Sequence, residues 1–322
     1  VTLASCKTFV RHMKSHVTVL LEEAVASLEL QEDSIVVDAT YGAGGHAEKI
    51  LSALGPKGTY IGIDVDSTAF TNAPKNPHKA ALHLVNDNFK NLTNILSSLH
   101  TIDSVDAILA DLGWRMEQFS GSGKGLSFQY DEPLHMTYGS AEAYNFTAYD
   151  IINTWDESVL ADIIYGYGEE RAARQIARAI VTIRKQEPIE TTFQLRDLIA
   201  NVVRTPRHTK THPATKTFQA LRIAVNDELQ ALETFITSAV TALNQGGRLA
   251  IITFHSLEDR IVKHQFRALA NNNMATVLTK KPIIPSTDEV SDNPRARSAK
   301  LRVIQKNNVE QHEQSTNITT RI

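Results

Sequence analysis

Four short apolar runs, each closing on a polar residue, set the rhythm of the first third of the chain. Residues 35–37 stop at Asp38, residues 59–63 at Asp64, residues 81–85 at Asn86-Asp87-Asn88-Phe89, and residues 105–110 at Asp111. Continuous apolar runs of this length suit parallel strands buried on both faces, and the stretches at 47–54 and 90–99 suit the helices that would cover them. Strand and helix alternating in this way predict an open, mostly parallel, Rossmann-like α/β sheet. Upstream, residues 16–30 hold an amphipathic segment that should pack beside the first strand.

The alternation breaks after Asp111. Residues 115–215 offer no convincing central strand, whereas 157–165, 169–185 and 192–203 carry helical periodicity, so this region reads as a helical insertion. A long helix is expected over 217–243. The sheet then resumes with 248–254, which ends in His255-Ser256-Leu257-Glu258-Asp259-Arg260; a helix at 261–270 follows, and 275–278 and 299–304 could finish the sheet. The expected organisation is a leader over 1–15, a discontinuous sheet domain over 16–114 and 216–306, the helical insertion over 115–215, and a polar tail over 307–322.

The strand ends concentrate chemistry along one edge, and in open sheets ligands bind at the carboxyl ends of strands. After Asp38 the chain runs Ala39-Thr40-Tyr41-Gly42-Ala43-Gly44-Gly45-His46, where the glycines permit a tight turn and close backbone approach at a helix start. This is a candidate nucleotide cradle, although an ordinary strand-to-helix connection has the same outline. Asp64 stands twenty residues after Gly44, a spacing at which a strand-end carboxylate can accept both hydroxyls of a ribose. Phe89 could wall such a ligand, or simply belong to the core.

Composition narrows the class further. With 322 residues, 42% hydrophobic and 21% charged, the chain can bury a substantial core. Cys6 is the only cysteine, which excludes an internal disulfide framework and makes a reducing, cytoplasmic setting the expectation. No apolar run reaches the ~18 residues of a membrane span, and residues 1–15 lack a signal-peptide core. No metal site is expected: His208 and His212 are four apart but lie in a Pro-interrupted polar loop.

The net charge of −3 conceals a segregation. Residues 171–222 carry eleven Lys/Arg against three Asp/Glu, and residues 260–306 carry ten against three. Arg171, Arg174, Arg178 and Lys185 fall on one helical face, so a polyanion-facing surface is one reading and solvated helix faces are the other.

The combined motifs resemble the bacterial S-adenosylmethionine-dependent methyltransferases that modify N4 of a cytidine in small-subunit ribosomal RNA. The resemblance spans roughly residues 16–305. It rests on His16-Val17-Thr18-Val19-Leu20-Leu21, on Asp38 to His46, on Tyr167-Gly168-Glu169-Glu170-Arg171, on His212 to Asn226, on Phe254 to Arg260 and on Asn293-Pro294-Arg295-Ala296-Arg297-Ser298. It implies S-adenosylmethionine as cofactor, with contacts at Gly44, Gly45, His46, Asp64, Phe89, Asp111 and Gln118. It also implies an RNA cleft formed with the insertion, for which Arg171, Arg174, Arg178, Lys185, Arg295 and Arg297 are the candidates. Asp111 is the first candidate for the catalytic group, with His255 and Glu258 after it; a homodimer is left open.

Departures cluster beside the expected site. Where the family continues Asp-Leu-Gly with a small aliphatic residue and two serines, this chain has Trp114, Arg115 and Met116, and His135 stands where the family usually has Asp, with further change at Thr137 and Tyr138. Neutral variation, retuned substrate choice and weakened catalysis all fit. The alternatives to methylation of ribosomal cytidine are therefore a methyltransferase for another nucleic acid, or a catalytically weakened RNA-binding ribosome-assembly protein.

Overall fold

A computed structural model describes residues 18–72, 79–100, 102–113, 123–203 and 211–308. Seven strands form one sheet: β1 (Ile35–Asp38), β2 (Thr59–Asp64), β3 (Ala81–Asn86), β4 (Val105–Asp111), β5 (Leu243–Thr253), β6 (Ala275–Val277) and β7 (Lys300–Lys306). Their spatial order is β3-β2-β1-β4-β5-β7-β6. Pairings from β3 through β5 are parallel, and β7 runs antiparallel to both β5 and β6. All seven expected strands are present in a mostly parallel α/β sheet.

Alternation along each strand divides the core in two, because successive side chains point to opposite faces. Val37, Ile61, Ile63, Ile108, Leu249 and Ile251 face one way, against α3 (Leu92–Ser98), α9 (Glu228–Ala242) and α10 (Ser256–Asn271). Val36, Tyr60, Ala107, Leu109, Ala250 and Ile252 face the other, against α1 (Leu21–Ser27) and α2 (Gly45–Ala53). Both faces being covered explains why the strands read as unbroken apolar runs.

The insertion has its own apolar cluster, built from α4 (Ala148–Thr154), α5 (Glu157–Gly168), α6 (Ala173–Ile183), α7 (Thr192–Val202) and α8 (Thr215–Asn226). Gly168 permits the close packing of α5 on α8, since a Cβ there would lie 2.6 Å from the Lys216 carbonyl oxygen. Phe218, Leu221 and Val225 of α8 lie in this cluster, so the helical unit extends past the expected limit at residue 215.

Two helices differ from their expected extents for one physical reason. The helix expected over 217–243 is two helices, because Asp227 adopts the left-handed conformation (φ 50°) between α8 and α9. The helix expected from 169 starts instead at Ala173, because Glu169 (φ 49°) terminates α5. Helical periodicity in side chains carries no mark of a single left-handed residue. The short helices α4 and α11 (Thr287–Asp292) were not anticipated.

Candidate active site

The strand order reverses direction between β1 and β4, and the polar strand ends gather on either side of that reversal. Thr40 is the first bridge across it: its Oγ1 accepts from the Asp111 amide at 2.6 Å. His46, in the first turn of α2, is the second, with Nδ1 3.7 Å from Asp111 Oδ2. Asp111 Oδ1 is buried and makes no hydrogen bond with the described residues. Burial, reinforced by the charges of Asp38 and Glu258, holds the Asp111 carboxyl well above the ordinary carboxylate range.

The glycine turn joins β1 to α2. Gly42 (φ 59°) and Gly44 (φ 78°) occupy left-handed backbone, and a Cβ on Gly45 would stand 1.8 Å from Thr18 Oγ1. Tyr41 is buried beneath, its ring 5.3 Å from that of Phe70. Asp38 is nearly inaccessible; its carboxylate accepts from Tyr60 Oη at 2.7 Å and from the Thr40 amide at 3.3 Å. Burial nevertheless pushes its pKa up to about 6.

Asp64 fixes the next wall. Its Oδ2 accepts from the Gly42 amide at 2.9 Å and its Oδ1 from the Asp66 amide at 2.8 Å, so the carboxylate ties the β2 end to the glycine turn. A carboxylate has about four acceptor positions, so orientation by two amides is compatible with reading a diol. Phe89 is half-buried and edge-on to Phe235 at 5.1 Å, so its ring belongs to the core and only its remaining surface can face a ligand. Gln118, with Trp114, Arg115 and Met116, lies outside the described residues, as does His208.

His255 and Glu258 form a capping box on α10. Glu258 Oε2 accepts from the Phe254 and His255 amides at 2.8 and 3.2 Å, and His255 Nδ1 accepts from the Glu258 amide at 3.4 Å. Glu258 Oε1 stands 3.1 Å from His255 Nε2. Burial opposes the Glu258 charge, yet the His255 imidazole, the Phe254 amide and Arg222 together hold its pKa below the usual value. Glu258 is therefore an ionised brace, less suited than Asp111 to exchanging a proton near neutrality.

The residues that sequence reasoning missed lie where the insertion meets this site. Arg222 Nε and Nη2 donate to the two oxygens of Glu228 at 2.6 and 2.8 Å, and Tyr138 Oη donates to Glu228 Oε1 at 2.8 Å. Asn226 Oδ1 accepts from the Tyr138 amide, while its Nδ2 donates to the carbonyls of Met136 and Arg222. Lys124 Nζ donates to the Tyr138 carbonyl at 2.6 Å and to Asp66 Oδ2 at 3.1 Å, linking the insertion to the turn after β2. Candidate ligand atoms of Glu228, His255 and Glu258 lie within 4.8 Å of one another. The Arg222 guanidinium already engages both Glu228 oxygens, which makes the group an ion-pair network.

The basic segments divide into structural and exposed members. Arg302 and Lys300 both pair with Asp259 at 2.7 and 2.8 Å, Arg184 donates to the carbonyls of Ile152 and Trp155, and Lys306 donates to those of Thr241 and Leu243. Part of the charge segregation is thus internal pairing. Arg171, Arg174, Arg178 and Lys185 are exposed, with Arg178 3.6 Å from Glu157. Arg295 and Arg297 are exposed on a turn whose Ala296 anchors in the α1–α2 side of the core, apart from the α6 stripe. His212 Nδ1 accepts from the Ala214 amide, and its ring lies 4.9 Å from that of Phe128, a loop-bracing role.

Among the described residues no helix is long and apolar enough to cross a membrane. The chain is 43% identical over 308 residues to a ribosomal RNA small subunit methyltransferase H of Clostridium botulinum, covering 90% of this chain and 98% of that protein. It is 40% identical over 309 residues to the protein of that name in Clostridioides difficile, with the same coverage, and 42% identical over 317 residues to that of a Paenibacillus species, covering 91% and 100%. The model of the MraW methylase family matches residues 13–307, and the chain belongs to that family.

Proposed function

We propose that this protein methylates the N4 amine of a cytidine in small-subunit ribosomal RNA, using S-adenosylmethionine. One observation carries the reading. At the reversal of strand order, beside the glycine turn, Asp111 presents a buried carboxyl oxygen that makes no hydrogen bond with the described residues. A buried polar atom is normally paired, and a ligand amine is the chemistry that would pair this one.

The cofactor fits the residues present. Gly42 and Gly44 bend the turn at the start of α2, where the glycines pack on Tyr41 and Thr18, and Asp64 is held by two amides at the adjoining strand end, a carboxylate with the acceptor capacity to read a diol. When bound, S-adenosylmethionine supplies a methyl activated on a sulfonium. The protein's task is to align the amine and manage its proton. A cytosine amine is a poor nucleophile because its lone pair is delocalised into the ring. Asp111 can accept one of its hydrogens, drawing the nitrogen towards tetrahedral geometry, and take a proton as charge develops. Burial raises its pKa above the ordinary carboxylate range, which strengthens it as a proton acceptor once ionised. His46 braces Asp111 from α2, and His255 with Glu258 holds the loop after β5.

The helical unit, 123–226 among the described residues, would form one wall of the RNA cleft, with Arg171, Arg174, Arg178 and Lys185 on its exposed face. Arg295 and Arg297 would approach RNA from the sheet domain. The setting of the reaction is the cytoplasm, where small subunits assemble.

The test is mass mapping of methylated nucleosides in small-subunit RNA from cells with and without this protein, with labelled transfer to small-subunit particles and to naked DNA in parallel. Loss of one N4-methylcytidine on deletion supports the reading. Transfer to DNA alone would assign another nucleic acid. Binding of cofactor and particles without any methylated product would favour an assembly role, and restoring activity with Trp114→Val, Arg115→Ser and Met116→Ser would locate the cause.

A further inference from the structure

Helix α10 carries a row of basic side chains that its own structure does not compensate. Arg260, Lys263, His264 and Arg267 stand at i, i+3, i+4 and i+7, the spacing that places side chains on one helical face. The opposite face is buried against the sheet through Val262 and Phe266, so the row looks outward: Arg260, His264 and Arg267 are exposed and Lys263 is half-buried. Like charges at these spacings repel and weaken a helix. The helix dipole does not favour them, since cations gain in the C-terminal turn and the last turn of α10 holds no basic residue. Both acids of α10 are engaged elsewhere: Glu258 is buried and accepts from the Phe254 and His255 amides, and Asp259 pairs with Lys300 and Arg302. Among the described residues Lys263, His264 and Arg267 make no ion pair.

The row begins at the active-site edge. His255 caps α10 at the end of β5, which puts Arg260 little more than one turn from the polar strand ends. From there to Arg267 the row runs back along the sheet domain for about 10 Å, at 1.5 Å per residue. Its first member is also a point where the two domains touch: Arg260 Nη2 and Ser256 Oγ both donate to Glu169, each at 2.9 Å. Glu169 terminates α5, and two residues beyond it Arg171 leads into the exposed basic row of α6. Lys216, exposed at the start of α8, donates to the Glu169 carbonyl at 2.9 Å. Cations therefore stand on both sides of the domain boundary, those of α6 and α8 on the insertion and those of α10 on the sheet domain. Glu169, the acid at the crossing, is neutralised by Arg260.

We propose that this face of α10 is a phosphate track, which holds the RNA strand on the sheet domain while the α6 row holds it on the insertion. The track rests on the RNA-methyltransferase reading and adds to it a contact surface across the domain boundary from α6. A polyanion is the partner that removes the repulsion within the row, because phosphates laid along it neutralise the cations and release their own counterions. Contacts of this kind position a strand without reading its sequence. The location favours RNA over an acidic protein: α10 starts at the strand-end edge that carries Asp111, so a strand whose target base reaches that carboxyl has the start of the row within its reach. Grip and choice of base are then separate, the first on α10 and the second around Asp111.

The experiment compares the full-length protein with three double variants. Lys263→Gln/Arg267→Gln removes two charges from the row, Lys263→Arg/Arg267→Lys keeps them, and Lys280→Gln/Lys281→Gln removes two from an exposed loop elsewhere on the sheet domain. Arg260 is left in place because it also ties α10 to Glu169. Measured quantities are affinity for a short single-stranded fragment of small-subunit RNA across a salt series, cofactor affinity, and KM and kcat for methyl transfer to small-subunit particles. At about 0.7 in slope per phosphate contact on a single strand, the α10 glutamine pair should flatten log affinity against log salt by about 1.4. Its KM should rise and its cofactor affinity should be retained. The charge-keeping exchange and the Lys280/Lys281 variant should follow the wild type. An unchanged slope and KM in the α10 glutamine pair overturn the track and leave the methyltransferase reading standing. An equal change of slope in the Lys280/Lys281 variant would assign the effect to net charge, and loss of affinity in the charge-keeping exchange would assign it to helix packing; either result overturns the track. If the wild-type protein itself methylates no RNA, the functional reading fails, and the track with it.

Discussion

Arg222 donates two hydrogen bonds to Glu228, at 2.6 and 2.8 Å, across the left-handed residue Asp227 that separates α8 from α9. The pair joins the helical unit to the sheet domain, and Tyr138 completes it. Burial alone would lower the Arg222 pKa, but the Glu228 carboxylate more than offsets this and the guanidinium stays charged. Removing one partner strands a buried charge, so Glu228→Ala should destabilise the protein by about 3 kcal/mol or more. Replacing both with apolar residues, as in Arg222→Met/Glu228→Leu, should cost much less. Urea unfolding of the three proteins checks this; equal losses for the single and double variants would show that the charge pairing is not what matters.

Asp111→Asn should lower kcat for methyl transfer by roughly 10²–10⁴-fold, the usual contribution of a positioned acid or base, while the protein stays folded. Because burial raises the Asp111 pKa, a base role requires the wild-type rate to climb with pH through a midpoint above the ordinary carboxylate range. The asparagine variant should lack that limb. A wild-type rate flat from acid to neutral pH would remove Asp111 from proton transfer.

Asp38 makes a separate, stability-based prediction. Its pKa is about 6 in the folded protein against 3.8 for a solvated aspartate, so the folded state binds the proton more tightly. Its contribution to stability is fully present below pH 3.8 and is lost as pH rises through about 6. Asp38→Asn keeps an acceptor for Tyr60 Oη and removes the titration. Relative to wild type it should gain up to about 3 kcal/mol between pH 4 and pH 8. Chemical denaturation at the two pH values reads the difference, and a pH-independent gap would contradict it.

Gly45→Ala places a methyl 1.8 Å from Thr18 Oγ1. The segment before α1 must then shift, at a cost of about 1–3 kcal/mol, and cofactor affinity should fall. Adding Thr18→Ala removes the hydroxyl and should recover part of both losses. Calorimetric titration with the cofactor and thermal unfolding would show it; no recovery in the double variant would mean that the backbone at Gly45, and not this contact, sets the requirement.

The sheet was legible because β1, β2, β4 and the end of β5 are buried on both faces and read as continuous apolar runs stopping at polar residues. Asp38, Asp64 and Asp111 were legible for the same reason: the strand ends sit at one edge once the strands are parallel. The Tyr138–Arg222–Asn226–Glu228 network was not, because its members meet through tertiary packing across some ninety residues of sequence. Arg222 and Asn226 appeared as part of a motif, but nothing in their spacing revealed that Asp227 breaks the helix between them and Glu228. The basic segments were visible as charge, while the internal duties of Arg184, Arg302 and Lys306 depend on carbonyls and acids that only the fold brings near.

The left-handed residue at Asp227 also bears on how the chain assembles. The helices on its two sides belong to different cores, α8 to the insertion and α9 to the sheet. Joining β4 to β5 in parallel requires Val105 to meet Leu243 and Asp111 to meet Ile252 across a long intervening chain, and loop-closure entropy opposes that encounter. The helical cluster holds residues 123–226 by more local contacts, and forming it first would bring the two ends of that chain together before the strands pair. The helical unit then acts as an internal splint for the sheet, and pulse-labelled hydrogen exchange should find α5, α6 and α8 protected ahead of β5.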